Sequence, residues 1–191
     1  MQAICEARRV CANLSGNSSN WRHRSPSDQY PRYEPLRERF NAEFAKVAEF
    51  LEEKQLGKIR CNQCEVTYIN VISLDDGEPG AQLSKIFTFW SDDSACVVPG
   101  SFDRGSFGMS FIIDGEVGGD PFGRLHVDGG PVLLPSEDRL AFRVVLTTRG
   151  NPADETVESV FAWLDRAREV GVRVFTSITT EYMHRLWERR S

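Results

Sequence analysis

The stretch Asp154-ETVESVFAWLDRAREVGVRVFTSITTEYMHRL-Trp187 decides the fold. Its apolar residues recur at steps of three and four, which is the pattern of a helix with one apolar stripe. The stripe consists of Val157, Val160, Phe161, Leu164, Ala167, Gly171, Val174, Phe175 and Ile178. A helix of about 24 residues is about 36 Å long. That length is enough to cover a sheet, so we predict that the preceding strands pack against this helix.

Several details of the stretch predict local structure. Asp154 is the predicted N-cap of the long helix, and Gly171 predicts either a close backbone approach to the sheet or a kink. Residues 178–180 predict a break, after which Thr180 caps a short last helix over residues 181–189. Met183 and Trp187 would hold this short helix, the latch, against the body.

The chain ahead of that stretch predicts one helix and then strands. Helical spacing of apolar residues covers residues 35–55, beginning at a proline that suits a first turn. Alternating or β-branched stretches predict strands over residues 59–74, 85–90, 102–114, 124–134 and 140–147. The last three have short connections and predict an antiparallel meander. The predicted fold is therefore α+β: an N-terminal helix, a curled antiparallel sheet of about five strands, the long C-terminal helix on the sheet, and the latch.

Length and composition indicate one ordinary globular domain. The chain has 191 residues, 40% of them hydrophobic, with a net charge of -5. Residues 1–28 are mostly small, polar or basic and predict an irregular tail, which leaves residues 29–191 as a single domain. The acidic balance argues against a general nucleic-acid binder. Neither an 18-residue apolar window nor a signal-peptide core occurs, so we expect a soluble, cytoplasmic protein with no membrane span.

A Cys-x-x-Cys spacing occurs at Cys61 and Cys64, among five scattered cysteines. Two thiolates at this spacing suit zinc or a redox pair. A structural zinc site needs two further ligands, and the sequence offers no second pair of this spacing. Residues three apart in a strand point to opposite faces, so the two sulfurs can meet only if Cys61 lies in the turn before the strand. Cys61 and Cys64 are therefore weak metal candidates, and we predict no metal and no cofactor.

Polar residues interrupt two of the predicted strands. Alternation places Glu65 and Thr67 on one strand face, with Tyr68 and Asn70 on the other. One interpretation is a hydrogen-bond network that ties the sheet to the helix, for instance through Thr179, Thr180 or His184. The other is a ligand-binding pocket.

The pocket interpretation adds a second strand. His126 and Asp128 lie two residues apart and could project into the same cleft. Either Glu65 with Thr67 or Tyr68 with Asn70 would join them, depending on which face turns inward.

Two motifs, read together, carry a resemblance. The segment Glu65-Val-Thr-Tyr-Ile-Asn70 and the terminal Thr180-Glu-Tyr-Met-His-Arg-Leu-Trp187 resemble the central strand and terminal signature of a sporadically distributed family of uncharacterised prokaryotic proteins. The resemblance covers roughly residues 30–189 and implies membership, but no chemistry that could be assigned to a residue here.

No converging catalytic set is recognisable, so an enzymatic activity is not favoured. The leading hypothesis is a non-enzymatic binding or protein-interaction module, with a protein partner or a homodimer mate. The alternative is a small-molecule pocket between the sheet and the long helix, with or without an enzymatic activity. Glu65, Thr67, Tyr68, Asn70, His126 and Asp128 are its candidate binding residues.

Overall fold

The fold is α+β, with one antiparallel sheet and the long C-terminal helix packed against one of its faces. The computed structural model describes the backbone of Ile4–Ala12 and Ser18–Ser19, and residues 33–57, 59, 61, 63–74, 82–91, 103–115, 119–134 and 139–187. In chain order the elements are β1 (Ile4–Ala12), β2 (Ser18–Ser19), α1 (Tyr33–Glu53), β3 (Cys64–Ile72), α2 (Leu83–Ile86), β4 (Phe107–Ile113), β5 (Gly123–Leu134), β6 (Arg139–Gly150), α3 (Val157–Ile178) and α4 (Glu181–Leu186).

The sheet is built around a four-stranded core with strand order β3-β6-β5-β4, and it is open. Strands β4, β5 and β6 form the predicted meander, because each pairs antiparallel with the next. β3 pairs antiparallel with the far side of β6, and β1 and then β2 extend the sheet beyond β3. Among the described residues the sheet therefore has six strands, where the sequence predicted about five.

The edge beside β3 differs from the sequence prediction. Ile4–Ala12 and Ser18–Ser19 are strands, whereas residues 1–28 were predicted to be an irregular tail. The composition around Ile4–Ala12 is charged and lacks alternation, and its pairing with β3 is a long-range contact that local pattern does not reveal. The remainder of the predicted tail lies outside the described residues. The division of the chain at residue 29 stays a prediction.

The predicted strand at residues 85–90 is wrong. Leu83–Ile86 is a short helix, and Phe87 forms only an isolated bridge to Thr179. Leu83, Ile86 and Phe87 are fully buried and have the i, i+3, i+4 spacing of a helical face. The aromatic residues that favoured a strand are thus used as core residues, and the segment lies beside the end of α3.

The core lies between the sheet and its helices. Aromatic rings of α1 pack on α3, with Phe40 and Phe44 both in contact with Phe161 at centroid distances of 5.7 and 6.1 Å. Beneath them the inward residues of β3, β5 and β6 are buried: Val66, Tyr68, Ile72, Leu125, Val127, Val144 and Leu146. The helix predicted at residues 35–55 is confirmed as α1, although two strands precede it.

The start of α3 is shifted from its predicted position. Thr156, rather than Asp154, is the N-cap, and its hydroxyl accepts a hydrogen bond from the backbone N–H of Ser159 at 3.2 Å. Asp154 supports the cap, because its carboxylate accepts the backbone N–H of Thr156 at 2.8 Å. The hydrogen bonds that the hydroxyl and the backbone N–H of Thr156 donate to this carboxylate hold the pKa of Asp154 below its ordinary value.

The predicted break and latch are confirmed. Helix α3 ends at Ile178, and Thr180 caps α4 by accepting the backbone N–H of Met183. Met183 is fully buried, and the ring of Trp187 stacks on Phe175 at 5.6 Å. Residues 188 and 189 of the predicted latch lie outside the described residues. Across the parts of the chain that the structure describes, we find no helix with the length and apolarity that a membrane span requires.

Candidate functional site

The six residues predicted to bind a ligand lie on two faces of the sheet. Tyr68 and Asn70 belong to the buried positions of β3, beneath the helices. Glu65 and Thr67 occupy the alternate positions on the opposite face, here called the outer face. Thr67 is paired with Thr147 of β6, which is paired in turn with His126 of β5.

The strand register therefore shows on which face of the sheet His126 lies. His126 and Asp128 lie on the outer face with Glu65 and Thr67, and the sheet separates them from Tyr68 and Asn70. A pocket between sheet and long helix cannot hold all six residues. The predicted combination of His126 and Asp128 with Tyr68 and Asn70 is wrong for this reason.

Polar groups of the outer face bond mainly to one another. The Nε of Arg149 donates to the Glu65 carboxylate at 2.9 Å, and Thr67 and Thr147 share a hydrogen bond of 3.1 Å between their hydroxyls. Ser110 and His126 are joined at 3.3 Å between Oγ and Nδ1. The hydrogen bonds of Glu65 and Thr67 to other strands thus run to β6. The hydroxyl of Thr179 bonds to His184 instead, at 2.8 Å, and ties α3 to the latch.

The two cysteines of the Cys-x-x-Cys spacing meet in the core. Cys61 lies just before β3 and Cys64 is its first residue, which is the one arrangement that lets their sulfurs approach. The Sγ atoms are 3.4 Å apart and both residues are buried. The hydrogen bond with Cys61 and the burial raise the pKa of Cys64.

A cleft of about 900 Å³ opens at the end of the sheet where β5 begins and β6 ends. Its walls are the ends of these two strands, the connection from β4 to β5, and the first half of α3. Arg124, Arg149 and Arg166 line it, together with Asp120, Phe122 and Trp163. The volume is in the range of small-molecule sites, and none of the six predicted binding residues lines it.

Two glycines let the strand ends that border the cleft approach each other closely. An added Cβ at Gly123 would lie 2.6 Å from the carbonyl oxygen of Arg149, and one at Gly150 would lie 2.6 Å from that of Phe122. These distances leave no room for a side chain, so the two strands and the loop approach closely here. The arginines beside the glycines, Arg124 and Arg149, then stand as direct cross-strand neighbours.

Like charges at directly opposed positions of a sheet repel each other. The positive charge of Arg149 is compensated by the carboxylate of Glu65, its neighbour on β3. The side chain of Arg124 has no hydrogen bond or ion pair to any residue in the described parts of the chain. The pair therefore carries an uncompensated positive charge at the mouth of the cleft.

Arg166 brings a third guanidinium from the helix side. Its Nη2 donates to the carbonyl oxygen of Asp114 at 2.8 Å, and its Cζ lies 4.2 Å from the centroid of the Phe122 ring. Phe122 stacks in turn on Trp163 at 5.1 Å, and the indole N–H of Trp163 donates to the Phe122 carbonyl. The guanidinium is thus held in place from two sides.

The cleft was not predicted from the sequence because its arginines are far apart in the chain. One signal was available: Gly123-Arg124 and Arg149-Gly150 are mirror-image dipeptides at the predicted ends of two neighbouring strands. Comparison of the chain with protein-family models, with curated proteins and with solved structures gives no match. The resemblance to a prokaryotic family stays a prediction, and the function must be argued from the site alone.

Proposed function

We propose that this protein is a non-enzymatic binding module whose cleft holds a small molecule bearing phosphate or carboxylate groups. The observation that carries the proposal is the opposed pair Arg124 and Arg149, of which only Arg149 has a carboxylate partner. An anion between them would remove their mutual repulsion and gain charge-assisted hydrogen bonds. Planar guanidinium groups suit the oxygen geometry of phosphate and carboxylate.

Charge distribution supports an anionic ligand. The whole chain carries a net charge of -5, yet three arginines line the cleft, and Asp120 is the one carboxylate among its described lining residues. The positive charge is therefore local and runs against the balance of the molecule. Arg166 is preorganised by its contacts with Asp114 and Phe122, which lowers the entropy lost on binding.

The residues available favour binding over catalysis. In the part of the cleft that the structure describes, the lining includes no His, Cys, Lys or Tyr. The Ser159 hydroxyl is engaged by the backbone N–H of Asp154 at 3.1 Å. General acid–base or nucleophilic chemistry needs such groups within reach of the substrate. An arginine-lined cleft without them can hold an anion but supplies little chemistry.

Titration calorimetry with orthophosphate, pyrophosphate and citrate tests the proposal and separates phosphate from carboxylate ligands. Saturable binding of at least one anion is expected, and Arg124→Gln should weaken it about tenfold or more, the worth of one charge-assisted hydrogen bond. Arg173→Gln, at an exposed arginine of α3 outside the cleft, is the matched control. Absence of binding, or equal weakening by both variants, would contradict the proposal.

One observation supports the other sequence prediction, that the protein binds a protein partner or a second copy of itself. Strand β4 ends the sheet, and Phe111 and Ile112 on it are exposed. An apolar edge strand is a surface on which another chain can pair. Light scattering after size-exclusion chromatography is the test, and a monomer at high concentration would count against a homodimer.

A further inference from the structure

Cys61 and Cys64 form a second candidate site, separate from the cleft. Their sulfurs are 3.4 Å apart, whereas a disulfide bond is about 2.05 Å long. Closure thus requires a movement of about 1.4 Å, shared between the two side chains or taken by one of them. This pair is buried in the hydrophobic core.

The two cysteines differ in their freedom to move. Cys64 is the first residue of β3 and is paired with Gly150 of β6, so the sheet holds its backbone. Cys61 lies in the segment between α1 and β3, outside any helix or strand. The movement that closes the bond therefore falls on Cys61. That segment also includes a positive φ at Gly57.

The two cysteines also differ in solvent exposure, and Cys61 is again the less restricted one. Cys61 is 6% exposed and Cys64 is 0% exposed. A small oxidant reaches Cys61 first, and Cys64 is then placed to resolve the oxidised sulfur. No group of three or more potential metal ligands includes this pair among the described residues. A two-thiol site without further ligands suits disulfide formation better than a zinc site of four ligands.

We propose that Cys61 and Cys64 are a peroxide-sensitive disulfide site. Hydrogen peroxide oxidises the Cys61 thiol to a sulfenic acid, and one water is released as the O–O bond breaks. The Cys64 sulfur attacks the Cys61 sulfur, the S–S bond forms, and the sulfenic oxygen leaves as a second water with the thiol proton. In sum, two thiols and one peroxide give one disulfide and two waters.

The test uses the folded full-length protein, reduced and then exposed to hydrogen peroxide. After removal of the peroxide, denaturation and alkylation, mass spectrometry counts free thiols at each of the five cysteines. The expected product lacks two hydrogens, has no label at Cys61 and Cys64, and regains two labels after treatment with a reductant. A variant with Cys5, Cys11 and Cys96 replaced by serine isolates the pair.

The matched control is Cys64→Ser, which removes the resolving sulfur. In this variant Cys61 should stop at the sulfenic acid, detectable with a dimedone probe, and proceed to higher oxides with more peroxide. Complete labelling of both cysteines in the treated wild-type protein would overturn the proposal. So would a disulfide that joins either of them to Cys5, Cys11 or Cys96 in preference to the 61–64 bond.

Discussion

Tyr68 of β3 lies directly against Gly171 of α3. A Cβ built on Gly171 would be 3.3 Å from the Cδ2 of Tyr68 and 3.5 Å from its Cε2. The glycine therefore lets the long helix approach the sheet over an aromatic ring that is itself buried. This contact confirms the close approach that a glycine inside the apolar stripe predicted, and it gives Tyr68 a packing role.

Substitution of Gly171 by a large residue should destabilise the protein through that contact. Gly171→Leu forces a side chain into the space of the Tyr68 ring, and overpacking of this kind costs about 1–3 kcal/mol. Tyr68→Ala should relieve it, because leucine can then fill the space of the missing ring. We expect a favourable coupling energy of about 1 kcal/mol in a double-mutant cycle measured by urea unfolding. Additive losses would show that the two residues do not share this contact.

The latch should contribute to stability through one side chain. Met183 is fully buried in the core, whereas its neighbour Tyr182 is 41% exposed. Met183→Ala removes buried volume and should lower the free energy of unfolding by about 2–5 kcal/mol. Tyr182→Ala is the matched control on the same helix, with a change within about 0.5 kcal/mol. Truncation after Thr179 should be at least as costly as Met183→Ala, and an unchanged melting temperature would refute the latch.

The helices and the meander were predictable because their signals are local. The stripe of α3 repeats over six turns, and the strands from residue 107 to residue 150 alternate or are bounded by glycine and polar turns. The prediction of a strand at residues 85–90 was wrong because it relied on Phe87 and Phe89, which are residue types that favour strands. Contacts with the end of α3 fold that segment differently, including the hydrogen bond from the Thr88 N–H to the Ile178 carbonyl at 2.9 Å.

The site was less predictable than the fold, because strand register decides which residues share a face of the sheet. Alternation along β3 correctly separated Glu65 and Thr67 from Tyr68 and Asn70, but sequence alone could not say which pair faced His126. The cleft depends on residues distant in the chain, since strand pairing places Arg124 beside Arg149 and α3 adds Arg166 to the lining. No local pattern carries that information.

Tyr33 should make the stability of the protein depend on alkaline pH. Burial, and then the hydrogen bond that its hydroxyl donates to Asp165 at 2.8 Å, raise the pKa of Tyr33 far above its ordinary value of 10.0. The unfolded chain keeps the ordinary value, so it releases the proton first as the pH rises. The stabilisation is complete below about pH 10 and is lost as the pH climbs toward the folded-state pKa.

Urea unfolding between about pH 8 and pH 11 measures this dependence. In Tyr33→Phe the alkaline decline should be shallower than in the wild-type protein, because the titrating group is gone. Tyr182→Phe, at the exposed tyrosine of α4, should keep the wild-type slope. Parallel curves for the wild type and Tyr33→Phe would show that the phenol is not protected by its burial and by Asp165.

The repulsion between the opposed arginines, Arg124 and Arg149, should lower the stability of the protein. Arg124→Gln removes a like charge that faces Arg149, and we expect it to raise the free energy of unfolding by about 0.5 kcal/mol in low salt. Arg149→Gln should have the opposite sign, because the Glu65 carboxylate, only 18% exposed, loses its partner. The gain from Arg124→Gln should disappear near 1 M salt, where the Debye length is about 3 Å.

Chemical unfolding at two salt concentrations, with Arg173→Gln as the neutral reference, decides between electrostatic repulsion and a packing role for Arg124. A packing role predicts a loss of stability that salt does not change. If repulsion is correct, the same substitution strengthens the fold and weakens anion binding. That opposition is the pattern expected where a binding site is kept at the expense of stability.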